Sequence, residues 1–360
     1  IDGKNEIIAS KDEEIEDLKD RLENNINPDF TSIGYNTDNA GDFFDGEKKA
    51  LRYAKKIQDE WVKTNNLNSR FNSDFNLVYM PVVDTGSVTS MNHMFGHCHR
   101  LQNIPLLDTS SVTNMNQMFY YCYSLTTIPL LNTSRVTNMN QMFYYCTSLT
   151  TISQLDTSSV TNMSSMFRNC SSLTTIPLLD TSNVMNMTYM FSSCSNLTTI
   201  PQLDTSSVTS MNNMFDGCSS LTSVPLLDTS NVTNMSSMFY SCSSLTTISQ
   251  LDTSSVTSVT QMFGSCPKLE SLPLLNFSSV TNISAFFGYS NMTTLTELGG
   301  FTGLKIDWTS YGSLGRCPNL TVQSLLNVFN TIADVTELGG RKLEIGTTNL
   351  AKLTDEQKQI

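Results

Sequence analysis

The chain has 360 residues, with 21 Lys and Arg against 33 Asp and Glu, three His and a formal net charge of −12. So acidic a balance argues against binding nucleic acid through its phosphates. No run of about 18 apolar residues, the length a bilayer-spanning helix needs, occurs anywhere in it.

Residues 1–26 place Ile1, Ile8, Ile15 and Leu22 at seven-residue spacing, with Leu18 in the second seam position. Alternating Glu, Asp, Lys and Arg surround that seam, so a coiled-coil stalk is expected, as a homo-oligomer with dimer and trimer both open. Residues 27–44 read as a linker from their Asn, Pro and Gly content. Residues 45–76 follow as an N-terminal helical cap, with Leu51, Ala54, Ile57 and Trp61 on one apolar stripe. Both chain ends are expected to be cuts. The chain opens on Ile1 inside a heptad, and it stops just after Thr354 and Gln357, a capping box without a full helix behind it.

From about residue 77 to 290 the chain repeats one sentence of 24 residues, as in LDTSSVTNMNQMFYYCYSLTTIPL from Leu107 to Leu130. A fixed period in this range marks a solenoid, whose coils bury their apolar faces only against neighbouring coils. Within each coil, LTTIPL (Leu125 to Leu130) has the L-x-x-L-x-L form of a leucine-rich-repeat strand, with Leu125 and Ile128 inward and Thr126 and Thr127 outward. Pro129 has no N–H, so the strand must end there or turn that position away from a neighbour. Leu131 and Val136 fill the next side, and Met139, Met142 and Phe143 stand one helical turn apart, which predicts a short helical turn packed inward with Cys146.

Two polar columns recur. Asn114, Asn138, Asn162, Asn186, Asn234 and Asn282 are expected to satisfy backbone groups left unpaired by turning coils. Asp108, Asp156, Asp180, Asp204, Asp228 and Asp252, with Asn132 and Asn276 in register, each open a D-T-S or related phrase and predict Asx-turns. Of nine cysteines, eight fall at one position per coil, from Cys98 to Cys266. A uniform column offers no defined disulfide pairing, so these are read as reduced, buried thiols. After Tyr289 the pattern decays, and residues 291–360 read as a C-terminal cap with an amphipathic helix in TVQSLLNVFNTIADV.

The expected fold is thus an α/β repeat solenoid of the leucine-rich type. Its 24-residue coils carry short strands on one face and short helical turns on the other, capped at both ends and preceded by a coiled-coil helix. The phrase VTNMSSMFRNCSSLTTIPLLDTS, Val160 to Ser182, resembles the BspA-like (Treponema-type) leucine-rich repeats of bacterial surface proteins. Its Met-Phe pair, where Ala-Phe is usual, is similar to the repeats of mycoplasma surface lipoproteins and of gut bacteria and their phages. The coiled-coil start and the TTNLAKLTDEQ ending also resemble repeat proteins of gut phages, crAss-like ones included. The resemblance implies a virion-borne or extracellular binding scaffold. A phage tail fibre or similar virion appendage is expected first, docked to other virion proteins through the stalk, and a bacterial cell-surface adhesin is the alternative.

No nucleophile–base pair, phosphate loop or H-E-x-x-H stands in the chain, so no enzyme activity and no cofactor are expected. The three histidines share HMFGHCH, with His93, His97 and His99 close in sequence. Cys98 between them belongs to the buried column, and polar surface substitutions explain the cluster better than a metal site does. Variation among coils concentrates beside the Met-Phe pair. Tyr120, Tyr121 and Tyr123 in one coil and Tyr144 and Tyr145 in the next are the candidate binding residues, read as exposed rings suited to a host-surface protein or glycan. Arg168 and Asp216 stand at the same variable positions.

Overall fold

A computed structural model describes residues 66–75, 77, 80, 84–308, 313–332 and 342–359. The expected stalk, the linker and most of the helical N-terminal cap lie outside these residues. Successive coils stack in parallel at a constant 24-residue offset, with bridges running Asn66 to Ser90, Asn114, Asn138 and on to Asn282. The ladder therefore already includes Asn66, ahead of the expected start at Leu77. Leu67 and Phe71 are buried in this first coil, and the Phe71 ring stacks on Phe95.

The core follows the repeat sentence position by position. Met115, Met118, Phe119, Cys122 and Leu125 are fully buried, as are their counterparts in Met139, Met142, Phe143, Cys146 and Leu149. The phenylalanines from Phe71 to Phe263 form one column, with ring centroids 5.3–5.8 Å apart and planes within 11°. Each array cysteine lies beside this column and donates its S–H to a phenylalanine carbonyl of the preceding coil, as Cys122 does to Phe95 at 3.1 Å and Cys170 to Phe143 at 3.0 Å. All nine described cysteines are free and buried. Burial pushes these thiols up, Cys98 to about 12 and Cys122 well above the ordinary range, so the nucleophilic thiolate is suppressed.

The two faces differ from the expected strand and helical turn. The Met-Phe segment contains no helix. It is a run of tight turns in which Met118 N bonds Met115 O at 3.2 Å, Tyr120 N bonds Gln117 O at 3.1 Å and Cys122 N bonds Phe119 O at 3.1 Å. The residues between donate across to the next coil: Gln117 to Asn140 at 3.0 Å, Phe119 to Met142 at 2.9 Å and Tyr121 to Tyr144 at 2.8 Å. Gln117 and Tyr121 adopt positive φ (56° and 61°), which aims alternate N–H groups out of the coil. The inter-coil ladder thus runs along the segment expected to be helical. The LTTI segment, expected to be the strand, makes one long backbone bond per coil, such as Thr150 N to Thr126 O at 3.4 Å. Leu125 and Ile128 are buried and Thr126 and Thr127 exposed, as their spacing predicts, while Leu130, the last Leu of the phrase, is exposed and Leu131 takes the core position.

Side chains supply what the weak face lacks. Asp108 Oδ1 accepts from Ser110 N at 3.0 Å and Ser110 Oγ at 2.7 Å, and Asn132 does the same with Ser134 at 3.2 and 2.8 Å. These hydrogen bonds hold the Asp108 carboxyl below the usual carboxylate range. The asparagine column makes a second set of Asx-turns, Asn114 Oδ1 accepting from Asn116 N at 3.0 Å. Behind the aspartates sits a buried threonine column, in which Thr181 Oγ donates to Asp204 O of the next coil at 2.7 Å.

The array gives way to four short strands. β1 (Ser271–Leu272) pairs in parallel with β3 (Glu297–Leu298), and β2 (Leu275–Asn276) with β4 (Phe301–Thr302). Helix α1 (Val322–Thr331), N-capped by Thr321, then covers the open edge. Its Ser324 and Thr331 hydroxyls accept from Leu298 N and Phe301 N at 3.0 and 2.9 Å, and Asn327 Nδ2 donates to Leu298 O at 3.0 Å. Edge groups that would otherwise template another strand are so occupied. Beyond α1, Thr354 and Gln357 form the reciprocal bonds of a capping box, at 2.9 and 3.2 Å.

Candidate functional site

The residues flanking each Met-Phe-x-x-Cys core sit on the outer side of the turn run. Because coils stack in register, equivalent positions form columns, and an aromatic side chain in one coil meets its counterpart in the next. Tyr120 stacks on Tyr144 with centroids 4.9 Å apart, and Tyr121 on Tyr145 at 4.8 Å. Edge contacts join the columns, with Tyr120 against Tyr121 at 4.5 Å and Tyr121 against Tyr123 at 5.6 Å. Tyr123 also meets Tyr145 at 6.5 Å. All five candidate tyrosines share one surface patch.

The rings are half-buried rather than exposed. Stacking turns the flat faces of most rings toward one another, so edges and hydroxyls make up much of the outer surface. Burial raises the phenol pKa of Tyr120, Tyr121 and Tyr144. At pH 7 the patch is a neutral sheet of donors and acceptors over an aromatic base.

The patch extends beyond the tyrosines in both directions. His97 occupies the position of Tyr121 one coil earlier and stacks on it at 5.0 Å, while His99 packs on Tyr123 at 4.7 Å. Phe75, 51% exposed, lies against His99 at 4.8 Å. On the other side the Arg168 guanidinium lies 5.7 Å from the Tyr144 centroid and 4.2 Å from that of Tyr189, both cation–π contacts. The histidine rings stand 5.9 and 6.0 Å apart by centroid and serve as ring partners of the tyrosines. Among the described residues no group of three His, Cys, Asp or Glu is arranged to hold a metal. Burial, then the neighbouring histidine, pushes His93 and His97 below the ordinary imidazole value, which favours their neutral forms.

The sequence reads the histidines as polar surface substitutions and Arg168 as one of the variable positions, and the structure joins them to the tyrosine patch. The signal was in the alignment, where His97, Tyr121 and Tyr145 share one column and His99 and Tyr123 another. Asp216 follows Arg168 in the same column with Ser192 between, and its carboxyl is pushed up by burial, partly offset by the Arg168 charge.

The family described as "Mycoplasma protein of unknown function, DUF285" matches residues 43–149, 65–175, 126–225 and 195–297, together well over half the chain. No curated protein sequence matches it. Among solved structures, a Treponema pallidum leucine-rich repeat protein is 24% identical, covering 53% of this chain and 76% of that one at a TM-score of 0.31. A Bacteroides ovatus leucine-rich repeat protein is 19% identical over 69% and 78% of the two chains, at 0.32. A leucine rich cell surface protein of Faecalibacterium prausnitzii is 20% identical over 65% and 82%, at 0.31. At such scores the overlays add nothing to the coil stacking described above. The family match spans the repeat array, and the chain belongs to this Mycoplasma-type family, with BspA-like leucine-rich repeats.

Proposed function

We propose that the protein is a non-enzymatic recognition scaffold of a bacterial cell surface, adhesin-like, which contacts a protein or glycan through the aromatic patch. The observation that carries this is the concentration of Tyr120, Tyr121, Tyr123, Tyr144 and Tyr145, with His97 and His99, on an array whose other variable positions are mostly Ser, Thr and Asn. Aromatic rings with polar rims suit both kinds of partner, since they desolvate easily and still offer hydroxyls. Suppressed thiolates along the core weigh against cysteine chemistry. A family named for a bacterial genus favours the adhesin over the phage tail fibre, and the stalk expected to dock other virion proteins lies outside the described residues.

The test is glycan-array and whole-cell binding by the chain with Tyr120, Tyr121, Tyr144 and Tyr145 changed to Ser, after its circular dichroism and melting are compared with the parent. Binding should vanish in this variant and persist when Thr126, Thr127, Thr150 and Thr151 are changed to Lys. The reverse pattern would move the contact to the threonine face.

A further inference from the structure

A second surface, independent of the aromatic patch, runs along the D-T-S side of the coils. Two residues before each aspartate stands a column that alternates in chemistry. Leu106 and Leu130 are followed by Leu178, Leu226 and Leu274 in every second coil, and these leucines are 42–71% exposed. Gln154, Gln202 and Gln250 occupy the coils between, and their side chains are turned onto the backbone. Gln154 donates to Leu178 O at 2.6 Å, Gln202 to Leu226 O at 2.6 Å and Gln250 to Leu274 O at 2.7 Å. The glutamines thus tie down the carbonyls beside the leucines and leave the leucyl side chains as the outward features. Because successive residues of an extended segment alternate sides, Leu226 and Asp228 share one face with buried Leu227 behind them.

The parallel column is acidic and exposed, from Asp156 through Asp252 without interruption. Each of these carboxylates spends Oδ1 on its own serine, as Asp228 does with Ser230 at 3.0 and 2.7 Å, so one oxygen stays directed outward. Two copies of the chain meeting through this face would set one carboxylate column against another, which is repulsive. The complementary occupant carries positive charge beside an apolar stripe. Its backbone form follows from spacing. At the usual strand spacing of about 4.8 Å, two coils separate each of Leu178, Leu226 and Leu274 from the next by roughly 9.6 Å, near the about 10.5 Å that seven helical residues span. At the Leu274 end, Gln250, Asp252, Leu274 and Asn276 border a hollow of about 340 Å³ that could receive a terminal side chain.

We infer that the leucine–aspartate face docks a basic amphipathic helix, its apolar stripe on Leu178, Leu226 and Leu274 and its Lys or Arg side chains on the aspartates. The probe is a labelled helical peptide of Leu and Lys with leucines at heptad spacing, titrated against the full chain by fluorescence anisotropy. Three comparison peptides go with it: one of the same composition with Leu and Lys strictly alternating, one with Ser for every Leu, and one with Glu for every Lys. The heptad peptide should bind more tightly than all three. Changing Leu178→Ser, Leu226→Ser and Leu274→Ser together should weaken it by about tenfold or more. Changing Asp204→Asn, Asp228→Asn and Asp252→Asn, which keeps the turn that Asn132 and Asn276 already make, should flatten its salt dependence. The four-tyrosine variant should bind it as the parent does, which separates this face from the aromatic patch. Equal binding of the Ser-containing peptide, or indifference to the leucine changes, would overturn the inference by reducing the contact to simple charge attraction. Loss of a self-association step on the leucine changes, in a chain beginning at residue 40 and with peptide binding unaltered, would assign the face to a second copy instead.

Discussion

Changing Thr181 to Val removes one hydroxyl from a buried column without changing the shape of the core. In the native coil that hydroxyl donates to Asp204 O of the next coil at 2.7 Å. The same bond recurs from Thr85, Thr109, Thr157, Thr205 and Thr229, at 2.7–2.8 Å. Thr253 instead accepts from Asn276 N at 2.7 Å, and Thr133 differs from all of these, since its Oγ is buried and has no hydrogen-bond partner. A net hydrogen bond contributes about 0.5–1.5 kcal/mol, and a carbonyl left partly unsatisfied adds to the loss. Thr181→Val is therefore expected to cost about 1–2 kcal/mol. Thr133→Val removes a desolvated, unpaired oxygen and should be neutral or stabilising by about 1 kcal/mol. The gap between the two variants, about 2 kcal/mol, corresponds to roughly 4–8 °C in Tm for an array of this size. Thermal melts followed by circular dichroism, with both variants in one buffer, measure it directly. Equal shifts of the same sign would show that the inter-coil hydroxyl bond is not what holds the weak face.

The aspartate turns should behave as hydrogen-bond acceptors: Asp156→Ala lowers the Tm, Asp156→Asn leaves it in place, and EDTA changes nothing, so a calcium-dependent rise in Tm would contradict the Asx-turn account. Serine hydrogen bonds depress the folded pKa of Asp108, Asp156, Asp204, Asp228 and Asp252 below 3.8. Their contribution to stability is then full above pH 3.8 and lost as the pH falls through the lower folded values, which urea titrations across that window would register as a falling midpoint. The nine thiols should resist a thiol-reactive disulfide reagent in the folded chain and react fully in guanidinium, because burial holds them protonated; rapid labelling of the native protein would refute the buried column. Residues 1–26 should oligomerise the chain through Ile8, Ile15, Leu18 and Leu22, so sedimentation should give a dimer or trimer for the whole chain and a monomer for one beginning at residue 40.

The period of the repeat was decisive on its own. A 24-residue sentence with Leu125, Ile128, Met142, Phe143 and Cys146 at constant places specifies which side chains face inward, because no other arrangement buries every coil against its neighbours. The Asx-turns were equally legible, since Asp or Asn followed by Thr-Ser forms them from local geometry. Where the backbone hydrogen bonds go was not. Met139, Met142 and Phe143 at helical spacing fit a helix and a chain of tight turns alike, and the choice rests on whether alternate N–H groups find carbonyls in the next coil. Tyr121 N finds Tyr144 O, and with that partner the left-handed conformation at Tyr121 is tolerable. The same stacking decided the site. Sequence register alone predicts that Tyr120, Tyr121, Tyr144 and Tyr145 of adjacent coils form one patch, but only the stacked coils add His97, His99 and Arg168 to it and show that the rings spend their faces on each other.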